Sequence, residues 1–218
     1  MFPLPPHILF EAASFLVSIA CWRSLSKTWL RWFTPFLLFI MIVELTARYF
    51  RYELKQPNAW LFSLSIPVEY SFYAFIFWKG FSSVRLKKVA IGFIALFFLY
   101  NIYNIIFITS LKFFDMKILL LGNLTMVIFS IFYFIELYNA SDIQPMFKKP
   151  SFWIFTGIML FNAGEFCYNL ISVLIKDDRF DATLKIFGSI NNSLILVLYS
   201  CFIIAFICQR ISETSRTA

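Results

Sequence analysis

The sequence has few charged residues, few glycines and a single histidine, and these shortages exclude most soluble folds. Only 14% of the 218 residues are Asp, Glu, Lys or Arg, whereas soluble domains carry roughly 25%. With six glycines, thirty phenylalanines and 61% hydrophobic residues, the chain has little material for a soluble domain beside an apolar one. We therefore expect a single integral membrane domain over residues 1–218.

The scarcity of cysteine and histidine argues against a metal centre or a bound cofactor. Cys21, Cys167, Cys201 and Cys208 fall in or at the ends of apolar stretches without CxxC spacing, and His7 is the only histidine. A zinc site draws several ligands from these two residue types. We expect no metal site and no cofactor, and we expect the cysteines to pack as small apolar side chains.

Long apolar runs are what the sequence has in abundance. A transmembrane helix needs about 20 mostly apolar residues, and seven such runs are separated by short basic or turn-forming connections. The sequence thus predicts an all-α integral membrane protein, a bundle of seven transmembrane helices. The predicted spans are residues 5–22, 33–50, 59–79, 88–109, 117–138, 151–174 and 184–208.

The distribution of Lys and Arg over the connections predicts which way the bundle crosses the membrane. Eleven of the 19 basic residues lie on one side, in the connections that follow odd-numbered spans, and eight lie on the other. Basic loops stay in the cytoplasm, so we expect the N-terminus outside and the C-terminus inside, in the inner membrane of a bacterium. The net charge of +7 is spread over these loops and predicts contact with anionic lipid rather than nucleic acid.

Carboxylates inside the apolar spans are the strongest functional signal. Glu11, Glu44, Glu69 and Glu165 each interrupt a predicted span, and Glu136 lies near the end of another. A charged side chain at the centre of a bilayer costs about 2.5–3.5 kcal/mol even on insertion scales. Four such residues predict a polar interior with a function, whereas Glu136 is expected to reach the membrane surface.

Helical spacing places further polar residues on the faces that carry these acids. His7 lies four residues before Glu11, Arg48 four after Glu44, and Tyr73 four after Glu69, which puts the members of each pair one turn apart. We expect Arg48 either to pair with Glu44 or with a ligand carboxylate, or to extend its charged end to the membrane surface. Three asparagines complete the candidate ligand-binding set: Asn162, Asn191 and Asn192.

Depth in the membrane brings these residues together. At 1.5 Å per residue, the four buried acids come out roughly 9 to 15 Å below the surface on the N-terminal side. Asn101, Asn104 and Asn123 fall at the same level. With the N-terminus outside, the predicted pocket lies in the outer half of the bundle.

The spacing between tryptophan and glutamate in two spans suggests an internal repeat that includes two of these acids. Trp32 precedes Glu44 by twelve residues, and Trp153 precedes Glu165 by twelve. This spacing fits an arrangement in which spans one to three are echoed by spans five to seven.

Three functions are compatible with a carboxylate-lined pocket in a membrane bundle. The favoured hypothesis is a protein that binds a small polar ligand, a cation or protons, as a transporter or a receptor-like sensor. The first alternative is an intramembrane enzyme that modifies lipid, with carboxylates and His7 as acid and base. The second is an accessory subunit of a larger membrane complex, in which case a partner protein is expected.

Overall fold

The computed structural model describes residues 5–109, 115–140, 145–174 and 180–217, and these are helical apart from short connections. Three short helical turns, Trp29–Trp32, Ile105–Thr109 and Met146–Lys148, adjoin the longer elements. The α-helices are α1 Pro6–Ala20, α2 Trp22–Leu25, α3 Phe33–Tyr52, α4 Ala59–Gly80, α5 Val84–Asn104, α6 Met116–Asn139, α7 Pro150–Leu174 and α8 Phe180–Thr217. The described residues contain no strand. The protein is an all-α membrane bundle.

Among the described residues, six helices are long and apolar enough to cross a membrane. One of them corresponds to each predicted span except the first. That span corresponds to α1, which has 15 residues and is about 22 Å long, whereas the hydrocarbon core is about 30 Å thick. The chain turns at Cys21 and continues into the four-residue α2, so the apolar run between residues 5 and 22 is not one long helix.

The last helix is longer than its predicted span, whereas the first is shorter. We expected it to end near residue 208, but α8 continues to Thr217. The physical reason is local: after Gly188 the sequence contains no Gly or Pro that would end a helix. The final turns therefore extend the helix beyond the apolar segment.

The helices form a ring. Packing contacts join α1 to α3, α3 to α4, α4 to α6, α6 to α7, α7 to α8 and α8 back to α1, while α5 packs against α4 from outside the ring. The triplets α1–α3–α4 and α6–α7–α8 follow the same order around it. This order is compatible with the repeat that the twelve-residue Trp–Glu spacing predicts, but it follows equally from chain order, so the repeat stays a prediction.

Aromatic side chains fill one half of the ring. Phe33 is fully buried, with its ring centre 5.0 Å from that of Phe202 and 5.2 Å from that of Phe72. Phe155 stacks on Phe77 with 4.5 Å between ring centres. The centre of the Trp29 ring lies 6.2 Å from that of Phe155 and 6.4 Å from that of Phe33. These contacts join α3 to α8 and α4 to α7 across the interior, so this half of the bundle is closed.

Small residues bring α7 and α8 close together in the largest helix–helix contact of the ring. Gly157 and Gly164 lie seven residues apart on α7 and therefore on one face. A Cβ at Gly157 would lie 2.8 Å from Cys201 Cβ, and one at Gly164 would lie 2.5 Å from Leu194 Cδ2. Close approach over small residues is a common way for membrane helices to pack.

Candidate functional site

The four acids of the predicted spans line one cavity in the half of the ring that the aromatic residues leave open. Glu11 on α1 is buried, whereas Glu44 on α3, Glu69 on α4 and Glu165 on α7 are half-buried, and the cavity volume is about 180 Å³. Sites for drug-sized ligands measure about 300–1,000 Å³, so this cavity has room only for a small molecule or ion.

The pattern of the sequence explains why these acids face inward. On α1, Glu11, Ser14 and Ser18 are buried, whereas apolar residues such as Leu9 and Leu16 are exposed. In a membrane the exposed surface meets lipid, and a polar side chain there would lack hydrogen-bond partners. The polar stripe of α1 therefore turns to the interior of the ring, as its helical phase predicted.

Two buried tyrosines hold two of the acids in place. The Tyr199 hydroxyl donates to Glu11 Oε1 at 2.8 Å, and the Tyr73 hydroxyl donates to Glu69 Oε1 at 2.9 Å. The first bond joins α8 to α1 and the second lies within α4. Each tyrosine occupies one oxygen of its carboxyl group and leaves the other oxygen for a further partner.

A third tyrosine lies on the wall beside Glu165. The Tyr70 hydroxyl donates to Asn123 Oδ1 and so links α4 to α6, and the Asn123 side chain adjoins the Glu165 carboxyl group. Tyr70 also lines the cavity. Phenol and amide groups from α4, α6 and α8 thus lie around the acids.

Unsatisfied acceptors point to an occupant that donates hydrogen bonds. Glu11 Oε2 and Asn191 Oδ1 are buried without a protein partner, and both residues line the cavity. Buried polar atoms in proteins are nearly always hydrogen-bonded. A donor in the cavity would supply the bonds that these two oxygens lack.

The electrostatics of the cavity have one sign. Glu11 interacts electrostatically with Glu44 and Glu69, and Glu69 in turn affects Glu165. No Lys or Arg is among the described residues that line the cavity. Several negative charges cannot be kept together away from water without compensation, so the site calls for cations or for protons on its carboxyl groups.

The carboxyl groups are spread around the cavity rather than gathered at one point. In the described ranges, no three His, Cys, Asp or Glu side chains lie close enough together to hold a metal ion. Apolar side chains also line the cavity, among them Ile40, Phe62 and Phe161. The wall therefore offers both negative charge and apolar surface.

The remaining predicted site residues lie around this cavity rather than in its wall. His7 and Arg48 are one helical turn nearer the membrane surface than Glu11 and Glu44, and His7 is close to both Asn192 and Arg48. The Arg48 guanidinium group lies over the Tyr52 ring, 5.1 Å from its centre. These residues form a polar rim at the open end.

Asn162 is buried below the rim. It lies on α7 one turn before Glu165, is fully buried, and its Nδ2 donates to the Ile158 carbonyl at 2.7 Å. Its other polar atom, Oδ1, is buried without a partner. Among the described residues that line the cavity, Asn191 is the only predicted asparagine.

Two asparagines expected at the same depth belong elsewhere. Asn101 and Asn104 on α5 line a separate, much smaller cavity, where Asn104 Nδ2 donates to Asp115 Oδ2 at 2.6 Å. The depth estimate was compatible with a shared site, but α5 lies outside the ring. Asn104 therefore binds the start of α6, and Asn101 Nδ2 donates to the Phe97 carbonyl of its own helix at 2.6 Å, so neither faces the central cavity.

Glu136 has a structural role, apart from the other acids. Its two carboxylate oxygens accept hydrogen bonds from the backbone N–H groups of Ser82 and Ser83, at 2.8 and 2.9 Å. These groups precede α5, whose first residue is Val84. A carboxylate at the N-terminus of a helix stabilises the exposed N–H groups and the helix dipole.

Sequence reasoning missed Tyr199 as a site residue. In the sequence it is one aromatic residue among many in an apolar span, whereas in the fold it is 5% exposed and bound to Glu11. The available signal was the hydroxyl group itself, because a buried tyrosine nearly always finds a hydrogen-bond partner.

Comparison of the chain with protein-family models, with curated proteins and with solved structures finds no match.

Proposed function

We propose that this protein binds a small organic cation, such as a primary amine, in the cavity between Glu11, Glu44, Glu69 and Glu165. The observation that carries the proposal is the charge of the wall, which has four carboxyl groups and no basic side chain among its described residues. The unpartnered oxygens of Glu11 and Asn191 favour an occupant with N–H donors.

The spacing of the acids supports an organic cation over a metal ion. A metal ion needs its ligand oxygens within about 2.6 Å, and the described acids do not converge in this way. An organic cation reaches separate carboxyl groups at once and rests its carbon atoms on apolar and aromatic walls, as quaternary ammonium groups do. Protons carried by the same carboxyl groups are the competing occupants.

We propose seven membrane-crossing helices, with α1 and α2 together forming the first, the N-terminus outside and the C-terminus inside. The cavity then opens in the outer half, and the aromatic half faces the cytoplasm. Eleven basic residues would lie inside and eight outside. A reporter that is active only in the cytoplasm, fused after the last residue, should be active; activity only in an outside reporter would contradict this orientation.

Binding is tested by thermal unfolding of the purified protein. Putrescine, choline, Mg²⁺ and Na⁺ are added separately to wild type and to Glu44→Gln, Glu69→Gln and Glu165→Gln. A ligand at 100 times its Kd stabilises a protein by about 2.7 kcal/mol, which is a shift in Tm of about 5–11 °C at this size. We expect such a shift with an amine in wild type and its loss in the variants.

The matched control is Glu53→Gln, which also removes one carboxylate but lies in the exposed connection after α3. It should keep the wild-type response to the amine. The proposal fails if no amine stabilises wild type, or if stabilisation survives in all three cavity variants.

Transport and sensing are distinguished in proteoliposomes. Phe36 lies one helical turn below Ile40 in the cavity wall and stacks on Phe72 with 3.8 Å between ring centres. A transporter must open this aromatic layer, whereas a sensor need not. Uptake of a radiolabelled amine that binds, abolished by Glu69→Gln, supports transport; binding without uptake supports a receptor-like sensor.

A further inference from the structure

The closed end of the bundle carries a second polar cavity, far from the four acids. It lies where α2 meets the end of α8, has a volume of about 450 Å³, and is open on one side. Its charged residues are Arg23, Lys27, Arg210 and Glu213. Three cationic side chains against one carboxylate give this cavity a net charge of +2.

The one carboxylate in this cavity already has partners. Glu213 Oε1 pairs with Lys27 Nζ, and the same carboxyl group is in contact with Ser24. The pair ties the connection after α1 to the last turns of α8. Glu213 also interacts electrostatically with Arg23, so three cationic side chains share one carboxylate and an excess of positive charge remains.

An apolar groove adjoins this basic cavity. It has a volume of about 470 Å³ and is formed by α1 and α8, with Val17, Ile207 and Ile211 in its wall. Ala20 and Arg210 line both the groove and the basic cavity. The two spaces are therefore adjacent, with the positive charge on the α2 side and the apolar surface between α1 and α8.

The location fits the boundary between lipid and water. Exposed Trp22 lies at the start of α2, and tryptophan favours the headgroup level of a membrane. The apolar groove extends from there towards the middle of the bundle, along two helices that face lipid.

We propose that this joint space binds one anionic phospholipid, with its phosphodiester between Arg23 and Arg210 and an acyl chain in the groove between α1 and α8. Arginine matches phosphate oxygens with paired hydrogen bonds, and basic pockets on the cytoplasmic side of membrane bundles hold anionic headgroups. This site is independent of the cation cavity. The lipid would fix α1, the shortest membrane helix, to α8.

The test is native mass spectrometry of the purified protein in detergent, titrated separately with phosphatidylglycerol, phosphatidylcholine and inorganic phosphate. We expect one phosphatidylglycerol to bind in preference to phosphatidylcholine. Loss of hydrogen bonds to a charged group weakens binding about tenfold or more, so the double change Arg23→Gln, Arg210→Gln should weaken phosphatidylglycerol binding by at least that factor.

The matched control is the double change Arg31→Gln, Arg85→Gln, which removes two exposed arginines outside the pocket. It should leave phosphatidylglycerol binding unchanged. A further variant, Ala20→Phe, fills the groove without changing charge, and it should weaken binding of the lipid.

Three results would overturn the proposal. The first is an equal loss of phosphatidylglycerol binding in the pocket variant and in the control variant. It would mean that the lipid is attracted to positive charge without a specific site. The second is binding of inorganic phosphate as tight as that of the lipid, which would assign the pocket to free phosphate. The third is equal binding of the two phospholipids.

Discussion

Replacement of Gly157 by alanine tests how closely α7 and α8 pack. The added methyl group would lie 2.8 Å from Cys201 Cβ and 3.3 Å from the Leu198 carbonyl oxygen. Carbon atoms in contact are ordinarily about 3.5–4.0 Å apart. Neither neighbouring atom can turn aside, because one is a Cβ and the other belongs to the backbone, so the helices themselves must separate by several tenths of an ångström.

The magnitude follows from comparison with two other glycines. At Gly164 the methyl group would meet the flexible end of Leu194, which can move, and at Gly92 it would meet nothing within 4 Å. All three changes gain the same helix propensity of up to about 1 kcal/mol. Differences among them therefore report strain, which for overpacking is about 1–3 kcal/mol.

We expect Gly157→Ala to be about 2 kcal/mol less stable than Gly92→Ala, a difference in Tm of about 4–8 °C, with Gly164→Ala between them. Thermal unfolding of the three variants in the same detergent measures this. As a second measurement, labelling of buried Cys201 by a maleimide should become faster in Gly157→Ala alone. Equal Tm values for Gly157→Ala and Gly92→Ala would refute the close packing of α7 on α8.

Three further substitutions test single contacts. Tyr199→Phe leaves Glu11 Oε1 without its hydrogen bond and should lower stability by about 1–3 kcal/mol, as measured by Tm; an unchanged Tm would remove Tyr199 from the site. Gly122→Ala places a methyl group 2.6 Å from the Tyr70 ring and should cost about 1–3 kcal/mol in the same assay; no loss would mean that α4 and α6 lie further apart. Glu136→Gln weakens the cap of α5 and should cost about 0.5–2 kcal/mol, with faster hydrogen exchange confined to the first turn of α5; exchange that is unchanged there would contradict the cap.

The inward orientation of the four acids could be predicted, because in a helix surrounded by lipid only the side that faces the bundle interior offers partners to a polar side chain. Glu11 and Glu165 each lie on the face of their helix that carries the other polar residues, and this face points to the interior of the ring. Helical spacing alone identifies it. Depth counted along the helix then placed them at similar levels. Both inferences use only the sequence of one helix at a time.

Lateral position in the bundle could not be predicted in this way. Asn101 lies at a suitable depth, yet α5 packs outside the ring and points it to a different cavity. Which helices are neighbours depends on packing across the whole bundle. The sequence pattern of a single helix does not contain this information. The same holds for Tyr199, whose partner Glu11 is 188 positions away in the sequence.

The residue at which α1 ends could not be predicted from the sequence either. Cys21 is an apolar residue between apolar neighbours, and neither Gly nor Pro marks the turn there. The turn brings Ser24 and Leu25 into buried positions, so tertiary contacts rather than local propensity determine where the helix ends. Hydropathy could only give the outer limits of the segment.

The distribution of contacts predicts which helices move when a cation enters the cavity. Close glycine packing makes α7 and α8 a unit, and the Tyr199–Glu11 bond is the hydrogen bond that connects this unit to α1. A cation would attract carboxyl groups on α1, α3, α4 and α7 at the same time, and the α7–α8 pair would be drawn inward as one body. Spin labels on the lipid-facing sides of α3 and α7 should therefore approach each other when a binding amine is added, while the α7–α8 distance stays constant. A change in the α7–α8 distance instead would show that the glycine contact, and not the junction with α1, is the part of the ring that responds.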